Sequence, residues 1–171
     1  MVKLSPEEYL ETLREPRREI YINGRLVEDL TRHPITSSVV KVMMRSYEME
    51  LDPAYKGVLT AKSSITGREV SRSISVHRST EDLLRRVEMG LTYAREFGTC
   101  YYACPGCDVL TALASTTWEM DRELGTDYHS RLRAFIKELE DGDLRCSGAV
   151  TDPRGDRSLR PPEQPEAFVR V

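Results

Sequence analysis

The chain has 171 residues, the usual size of one domain of roughly 100–200 residues, so it can bury a core without disulfide or metal staples. It is 39 % hydrophobic and 31 % charged, with 25 basic residues against 28 acidic ones and a net charge of −3. The charges are interspersed with no basic stripe, which argues against nucleic acid, and no apolar run approaches the roughly 20 residues that span a bilayer. The opening Met1–Glu8 segment lacks the apolar core of a signal peptide. The expectation is a globular protein of the cytoplasm, with no membrane partner.

Ser5, Pro6 and Glu8 form a capping box with proline at the first helical position, predicting a helix to about Arg14. Glu19–Val27 reads as a small hairpin turned on Asn23-Gly24. Val39, Val40, Met43, Tyr47 and Leu51 recur at helical spacing, and Asp52-Pro53 ends that run. Tyr55–Arg78 is rich in Ser, Thr and Gly and reads as loop with weak strand character. Ser79 with Asp82 caps a further helix through Leu83, Leu84, Val87, Leu91 and Ala94. Val109, Leu110, Leu113 and Thr117 mark the next, stopped at Gly125. Thr126 or Asp127 caps another, with Leu132, Phe135, Ile136 and Leu139 inward and Gly142 as its stop. Leu144–Thr151 looks like a strand and Asp152–Arg157 like a turn-rich loop. The closing Ala167–Val171 looks like a strand without a partner, as though a second domain begins. The division expected is 1–142 and 143–171.

Of four cysteines, Cys100, Cys104 and Cys107 stand at i, i+4 and i+7, with Cys146 apart. On a helix those three thiols would share one face. Thiolates suit iron–sulfur clusters or zinc, whereas single cysteines are often small buried hydrophobes. The spacing Cys-x-x-x-Cys-x-x-Cys also matches radical S-adenosylmethionine enzymes, but the first strand of a barrel is missing before it. Cys104-Pro-Gly-Cys107 alone is a redox spacing without its preceding strand. Zinc would want a fourth ligand, and His129 and Cys146 are too distant in sequence to complete a motif. Among the other polar residues, His33 reads as a loop-fixing group and His77 as structural. His129 could face a site or serve a helix start, and Trp118 reads as core.

Several blocks go further together. They are Ser5-Pro-Glu-Glu-Tyr-Leu-Glu-Thr-Leu13, His33-Pro34, Tyr47-Glu48, Asp52-Pro53, Thr60-Ala-Lys-Ser63 and His77–Arg85. Gly106–Leu113, Gly125–His129, Gly148–Ser158 and Arg160–Pro165 complete them. With these the chain resembles the N-terminal part of the family containing 4-hydroxybutyryl-CoA dehydratase and 4-hydroxyphenylacetate 3-hydroxylase.

The resemblance implies a mainly α fold: the helical N-terminal domain of an acyl-CoA dehydrogenase-like flavoprotein, with a small hairpin and the first strands of a middle β domain. It implies a [4Fe-4S] cluster held in part by Cys100 and Cys104, the pair that marks the dehydratase branch, with Cys107 as a possible further ligand. It implies FAD against Val150, Thr151, Asp152, Pro153, Arg154, Gly155, Asp156 and Arg157. The implied activity is removal of water from a hydroxyacyl-CoA, with vinylacetyl-CoA delta-isomerase chemistry. The alternatives are an FAD-dependent hydroxylase component or a non-catalytic relic. The implied partners are an acyl-CoA substrate, a separate chain carrying the remaining domains, and an oligomer, a tetramer in the family. The catalytic acid–base residues are not identified. Pro105 follows Cys104 and is expected to kink a helix that runs through the cluster.

Overall fold

The structure is a computed structural model that describes residues 3–14, 19–99, 105–146, 156, 158–160 and 163. Helices dominate it: α1 (Pro6–Arg14), α2 (Thr36–Leu51), α3 (Thr80–Phe97), α4 (Pro105–Leu124) and α5 (Tyr128–Asp141). Two antiparallel pairs accompany them, β1 (Tyr21–Ile22) with β2 (Arg25–Leu26) and β3 (Thr60–Lys62) with β4 (Glu69–Ser71). Short 3-10 turns at Pro53–Tyr55 and Arg72–Ile74 link the pieces.

The punctuation is local and falls where the sequence puts it. The Ser5 hydroxyl accepts from the Glu8 N–H at 3.1 Å, and the Glu8 carboxylate accepts from the Ser5 N–H at 2.7 Å, the reciprocal capping box. Asn23 and Gly24 both take positive φ, 50° and 74°, which a two-residue hairpin turn of this twist requires. The Ser79 hydroxyl accepts from the Asp82 N–H at 3.1 Å and opens α3. The Ser- and Thr-rich stretch before it supplies β3, β4 and the Arg72–Ile74 turn. Leu144–Cys146 pairs with no strand among the described residues, and the rest of that expected strand lies outside them.

The core has two clusters. One gathers Met43, Tyr47 and Met49 of α2, Leu59, Met89 and Tyr93 of α3, and Cys107. The other joins Ile74 to Leu110 of α4 and to Leu132, Ile136 and Leu139 of α5. Several apolar residues that recur along the helices do not face the core, and Phe135 is the one of them expected inward. Leu83, Leu84, Val87 and Leu91 of α3 are each more than half exposed, because α3 turns Met89 and Tyr93 to the core instead. Val39, Leu51, Leu113 and Phe135 are also exposed.

Against the first cluster lies a buried polar hub on Glu50, in the last turn of α2. Its Oε1 accepts from the Ser71 hydroxyl at 2.7 Å and the Tyr93 hydroxyl at 3.0 Å. Its Oε2 faces Arg145 Nη2 at 3.0 Å and Lys3 Nζ at 4.0 Å. Burial pushes the Glu50 carboxyl up, against the pull of Arg145 and Lys3. Arg145 also pairs with Asp143 at 3.1 Å and lies 3.9 Å over the Tyr47 ring. Removing one member of such a pair strands the other charge in a low-dielectric interior. Arg145→Met should therefore lower the unfolding free energy in urea by about 3–5 kcal/mol.

Gly106 shows how tightly this part of α4 is packed. A Cβ there would lie 2.3 Å from the Cys146 carbonyl oxygen and 2.9 Å from that of Ser73, both backbone atoms. Gly90 of α3 has open space, with nothing nearer than 3.8 Å. Gly106→Ala should destabilise by about 1–3 kcal/mol or more through overpacking. Gly90→Ala should stabilise by roughly 0.5–1 kcal/mol by removing a glycine from a helix interior. Paired urea melts read both signs.

Candidate functional site

A cleft of about 510 Å³ opens between α4, α5 and the chain around residues 64–65 and 76–78. Its floor is apolar, from Ile65, Val76, Ala114, Leu132 and Ile136. Its rim is polar and carries two arginines, Arg78 and Arg133, with Glu119, Ser115 and the imidazoles of His77 and His129. Trp118 forms a wall. It is 52 % exposed, and Arg122 lies 4.8 Å from the centre of its ring. The expectation of a core tryptophan is corrected: position 118 is one turn beyond Ala114 on the same side of α4, past the second core cluster and where the cleft is open. Concave shape with a few convergent polar groups is the usual form of a ligand site.

The histidine end of the cleft is set by one side chain in α4. The carboxylate of Asp121 accepts from the Tyr128 N–H at 2.8 Å, the His129 N–H at 2.9 Å and the Thr126 hydroxyl at 2.7 Å. It thus satisfies first-turn N–H groups of α5. Asp127 makes no side-chain cap bond, and Thr126 spends its hydroxyl on Asp121. Neither residue named from the sequence caps α5, because the acceptor comes from the neighbouring helix. His129 Nδ1 meets the Thr117 hydroxyl at 3.1 Å. His33 fixes its loop as expected, its Nδ1 accepting from the Ile35 N–H at 3.2 Å.

Where the cleft reaches His77, a second constellation begins. Ligand atoms of His77, Cys107 and Asp108 all lie within 4.8 Å of one another. The His77 backbone N–H donates to the Thr111 hydroxyl at 3.0 Å. Its ring is nine-tenths buried, and Nε2 has no hydrogen-bond partner among the described residues. Burial pushes this imidazole down, against the attraction of Asp108 and Asp82, so it is neutral near pH 7. Cys107 is fully buried, and burial pushes its thiol up to about 11. A thiol of that kind is inert as a nucleophile and becomes a thiolate when a cation binds it. Asp108 is gripped by Arg86 through Nε at 3.1 Å to each oxygen and through Nη2 as well.

Of the residues singled out for cofactors, Cys107 and Asp156 are described. Cys100, Cys104, Val150, Thr151, Asp152, Pro153, Arg154, Gly155 and Arg157 lie outside the described residues. Asp156 forms a turn, its Oδ1 accepting from the Ser158 N–H at 2.9 Å and the Ser158 hydroxyl at 2.6 Å. Pro105 is the first described residue of α4, and the segment before it, where the kink beside Cys104 is expected, lies outside the described residues. Two thiols supply half of the four ligands that a [4Fe-4S] cluster takes. The donor chemistry of Cys100 and Cys104 therefore fits such a cluster, provided that other ligands come from elsewhere. Among the described residues no helix is long and apolar enough to cross a membrane.

A family model described as 4-hydroxyphenylacetate 3-hydroxylase N terminal matches residues 5–171. The chain is 34 % identical over 98 % of its length to the 4-hydroxybutyryl-CoA dehydratase/vinylacetyl-CoA-Delta-isomerase of Clostridium aminobutyricum, covering 35 % of that protein. It is 27 % identical to the oxygenase component of the 4-hydroxyphenylacetate 3-monooxygenase of Thermus thermophilus, covering 96 % of this chain and 33 % of that protein. Among solved structures, an oxygen-tolerant archaeal 4-hydroxybutyryl-CoA dehydratase from N. maritimus superposes with a TM-score of 0.84 at 36 % identity. That match covers 96 % of this chain and 33 % of the dehydratase. A 4-hydroxyphenylacetate 3-monooxygenase oxygenase component complexed with FAD and 4-hydroxyphenylacetate superposes at 0.73 and 27 % identity, covering 95 % and 33 %. The chain thus spans about a third of the length of the relatives it matches. The shared architecture is the helical part of an acyl-CoA dehydrogenase-like fold.

The clasp at Asp121 is open to a direct test. Asp121→Ala should fray the first turn of α5, speeding amide hydrogen exchange at Tyr128 and His129 while Ile136 and Leu139 keep their protection. Unchanged exchange at both amides would mean that α5 is capped by another group.

Proposed function

The chain belongs to the 4-hydroxyphenylacetate 3-hydroxylase N-terminal family, and from that premise we propose that it is the N-terminal part of an FAD- and [4Fe-4S]-dependent dehydratase of a hydroxyacyl-CoA. The observation that carries this choice is its greater likeness to dehydratases than to oxygenases, 34 % against 27 % in sequence and 0.84 against 0.73 in TM-score. The cysteine pair Cys100 and Cys104 supports it, since thiolates hold iron–sulfur clusters. An FAD-dependent oxygenase component is the second reading, favoured by the oxygenase relatives and by the FAD in one of the matched structures.

In this proposal Cys100 and Cys104 supply two cluster ligands, and Val150–Arg157 meets the flavin. The Thr151 hydroxyl can donate or accept, Gly155 permits close backbone approach, and the Arg157 guanidinium can pair with phosphate or polarise the flavin ring. When bound, the flavin supplies removal of weakly acidic hydrogens and a cluster iron supplies Lewis-acid polarisation of the departing hydroxyl. On this reading the chain's own work is to supply thiolates from the segment before α4 in sequence and flavin contacts from the segment after α5. Residues 1–142 would be the helical unit and 143–171 the start of the flavin-binding β unit.

The exposed stripe of Leu83, Leu84, Val87 and Leu91 on α3 is, on this proposal, the face against which the remaining two thirds of the family's fold packs. That remainder would supply the other cluster ligands and the acid–base groups. Thiolate ligands of this kind persist in a reducing cytosol, so the proposed enzyme is cytoplasmic, and the oligomer stays part of the proposal.

The test is iron and acid-labile sulfide per chain after anaerobic purification, with the chain alone and co-expressed with a polypeptide carrying the rest of the family's fold. About four of each are expected in the co-expressed material, lost on Cys100→Ala or Cys104→Ala. Bound FAD without iron or sulfide in either preparation would overturn the dehydratase in favour of the oxygenase component.

A further inference from the structure

We propose that His77, Cys107 and Asp108 form a binding site for one thiophilic divalent cation of the zinc class, one that does not require the thiols of Cys100 and Cys104. It uses a thiol that the family resemblance leaves without a settled role, and it stands or falls apart from the dehydratase proposal.

Geometry comes first. The three donor atoms lie within 4.8 Å of one another. Tetrahedral zinc bonds of 2.0–2.3 Å put their donors about 3.3–3.8 Å apart, so closure around a cation needs side-chain shifts of about an ångström. One sulfur, one imidazole nitrogen and one carboxylate oxygen are the donor types zinc takes. Three protein ligands leave a fourth position open, and one of the three, His77, also lines the cleft.

The second observation is the state of His77. A buried polar atom without a partner costs free energy, and Nε2 of this nine-tenths buried ring has none among the described residues. A ring nitrogen of His77 meets the 4.8 Å spacing, and the metal is assigned to Nε2, the buried nitrogen left without a partner. In the tautomer where Nε2 is the acceptor, a cation beside Cys107 and Asp108 supplies what is missing. The other nitrogen would then carry the proton, as in metal-bound histidines generally.

Asp108 is already oriented. Arg86 holds both of its oxygens, yet a carboxylate has about four lone-pair sites and can serve a guanidinium and a metal together. Ligating carboxylates are usually held this way from behind.

The charges around the site also favour a dication. The acidic groups are Asp108, Asp82 and, once a cation binds, the Cys107 thiolate; the basic ones are Arg72 and Arg86. Three negative charges against two positive ones leave the cation facing a net charge of −1. Arg72 is further occupied, donating to the carbonyls of Gly57, Val58 and Thr60.

The experiment is titration of the full chain, stripped with a chelator, with Co²⁺ followed by Zn²⁺. One Co²⁺ per chain is expected, with a thiolate-to-cobalt charge-transfer band that Zn²⁺ abolishes. Cys107→Ser should remove the band, and His77→Gln or Asp108→Asn should each weaken binding at least ~10-fold. The Cys100→Ser/Cys104→Ser double variant should bind as the parent does. No binding by the parent chain, a band that survives Cys107→Ser, or a band lost in the double variant would each overturn the site. Asp108 is partly exposed, so Asp108→Asn carries the test if the buried variants fail to fold by circular dichroism. Iron and sulfide content plays no part in these outcomes, so failure here and failure of the dehydratase proposal are distinguishable.

Discussion

One buried carboxylate decides how the helices meet. Glu50 sits at the end of α2 with 1 % of its side chain exposed, where an isolated charge would be costly. It is tolerated because Ser71, Tyr93, Arg145 and Lys3 converge on it from four different stretches of chain. Asp143, beside Arg145, extends the set by accepting from the Leu4 N–H at 3.1 Å through its carboxylate and from the Tyr47 hydroxyl at 3.0 Å through its backbone carbonyl. Lys3 and Arg145 against Glu50 and Asp143 give a formal charge of zero. A hub of this kind adds little net free energy over apolar packing of the same volume. What it contributes is a set of directed bonds that only one arrangement of α2, β4, α3 and the chain after α5 satisfies.

The position of the cysteine end of α4 follows from that hub. Ser71, bonded to Glu50, lies 2.8 Å from the Ser73 hydroxyl, and the Ser73 carbonyl is one of the two backbone atoms crowding Gly106. The chain just after Arg145 supplies the other, at Cys146. Gly106 is therefore clamped between two segments that Glu50 already holds, and Cys107 and Asp108 follow directly from it. His77 comes four residues after Ser73 on the same strand-to-helix connection. The cleft and the His77–Cys107–Asp108 constellation are thus placed by a polar network that takes no part in either.

How much of this was legible in the sequence depends on the range of each interaction. The capping boxes at Ser5 and Ser79, the Asn23-Gly24 turn and the stop at Gly125 were legible, because their partners lie within a few residues. The inward faces of helices were less so. Apolar spacing gives α3 a stripe at Leu83, Leu84, Val87 and Leu91, but the core is met by Met89 and Tyr93, and spacing does not say which neighbour a stripe meets. Asp121 was missed as the cap of α5 because it lies on another helix, and Trp118 was misplaced because aromaticity alone does not fix burial. His77 and Glu50 are of the same kind: a lone histidine or glutamate in sequence carries no signal until the fold supplies its neighbours.

The cysteines show both sides of this limit. Spacing at i, i+4 and i+7 puts three thiols on one face only if a single helix carries all three. Of the three, Cys107 lies among the described residues, on α4, and Cys100 and Cys104 lie outside them. Cys107 is buried in the cluster with Met89 and Tyr93, and its sulfur lies within 4.8 Å of ligand atoms of His77 and Asp108. Spacing along the chain nominates the residues, but Cys107 takes its burial and its neighbours from the segments packed against α4, and no spacing rule reaches back from it to a histidine before α3.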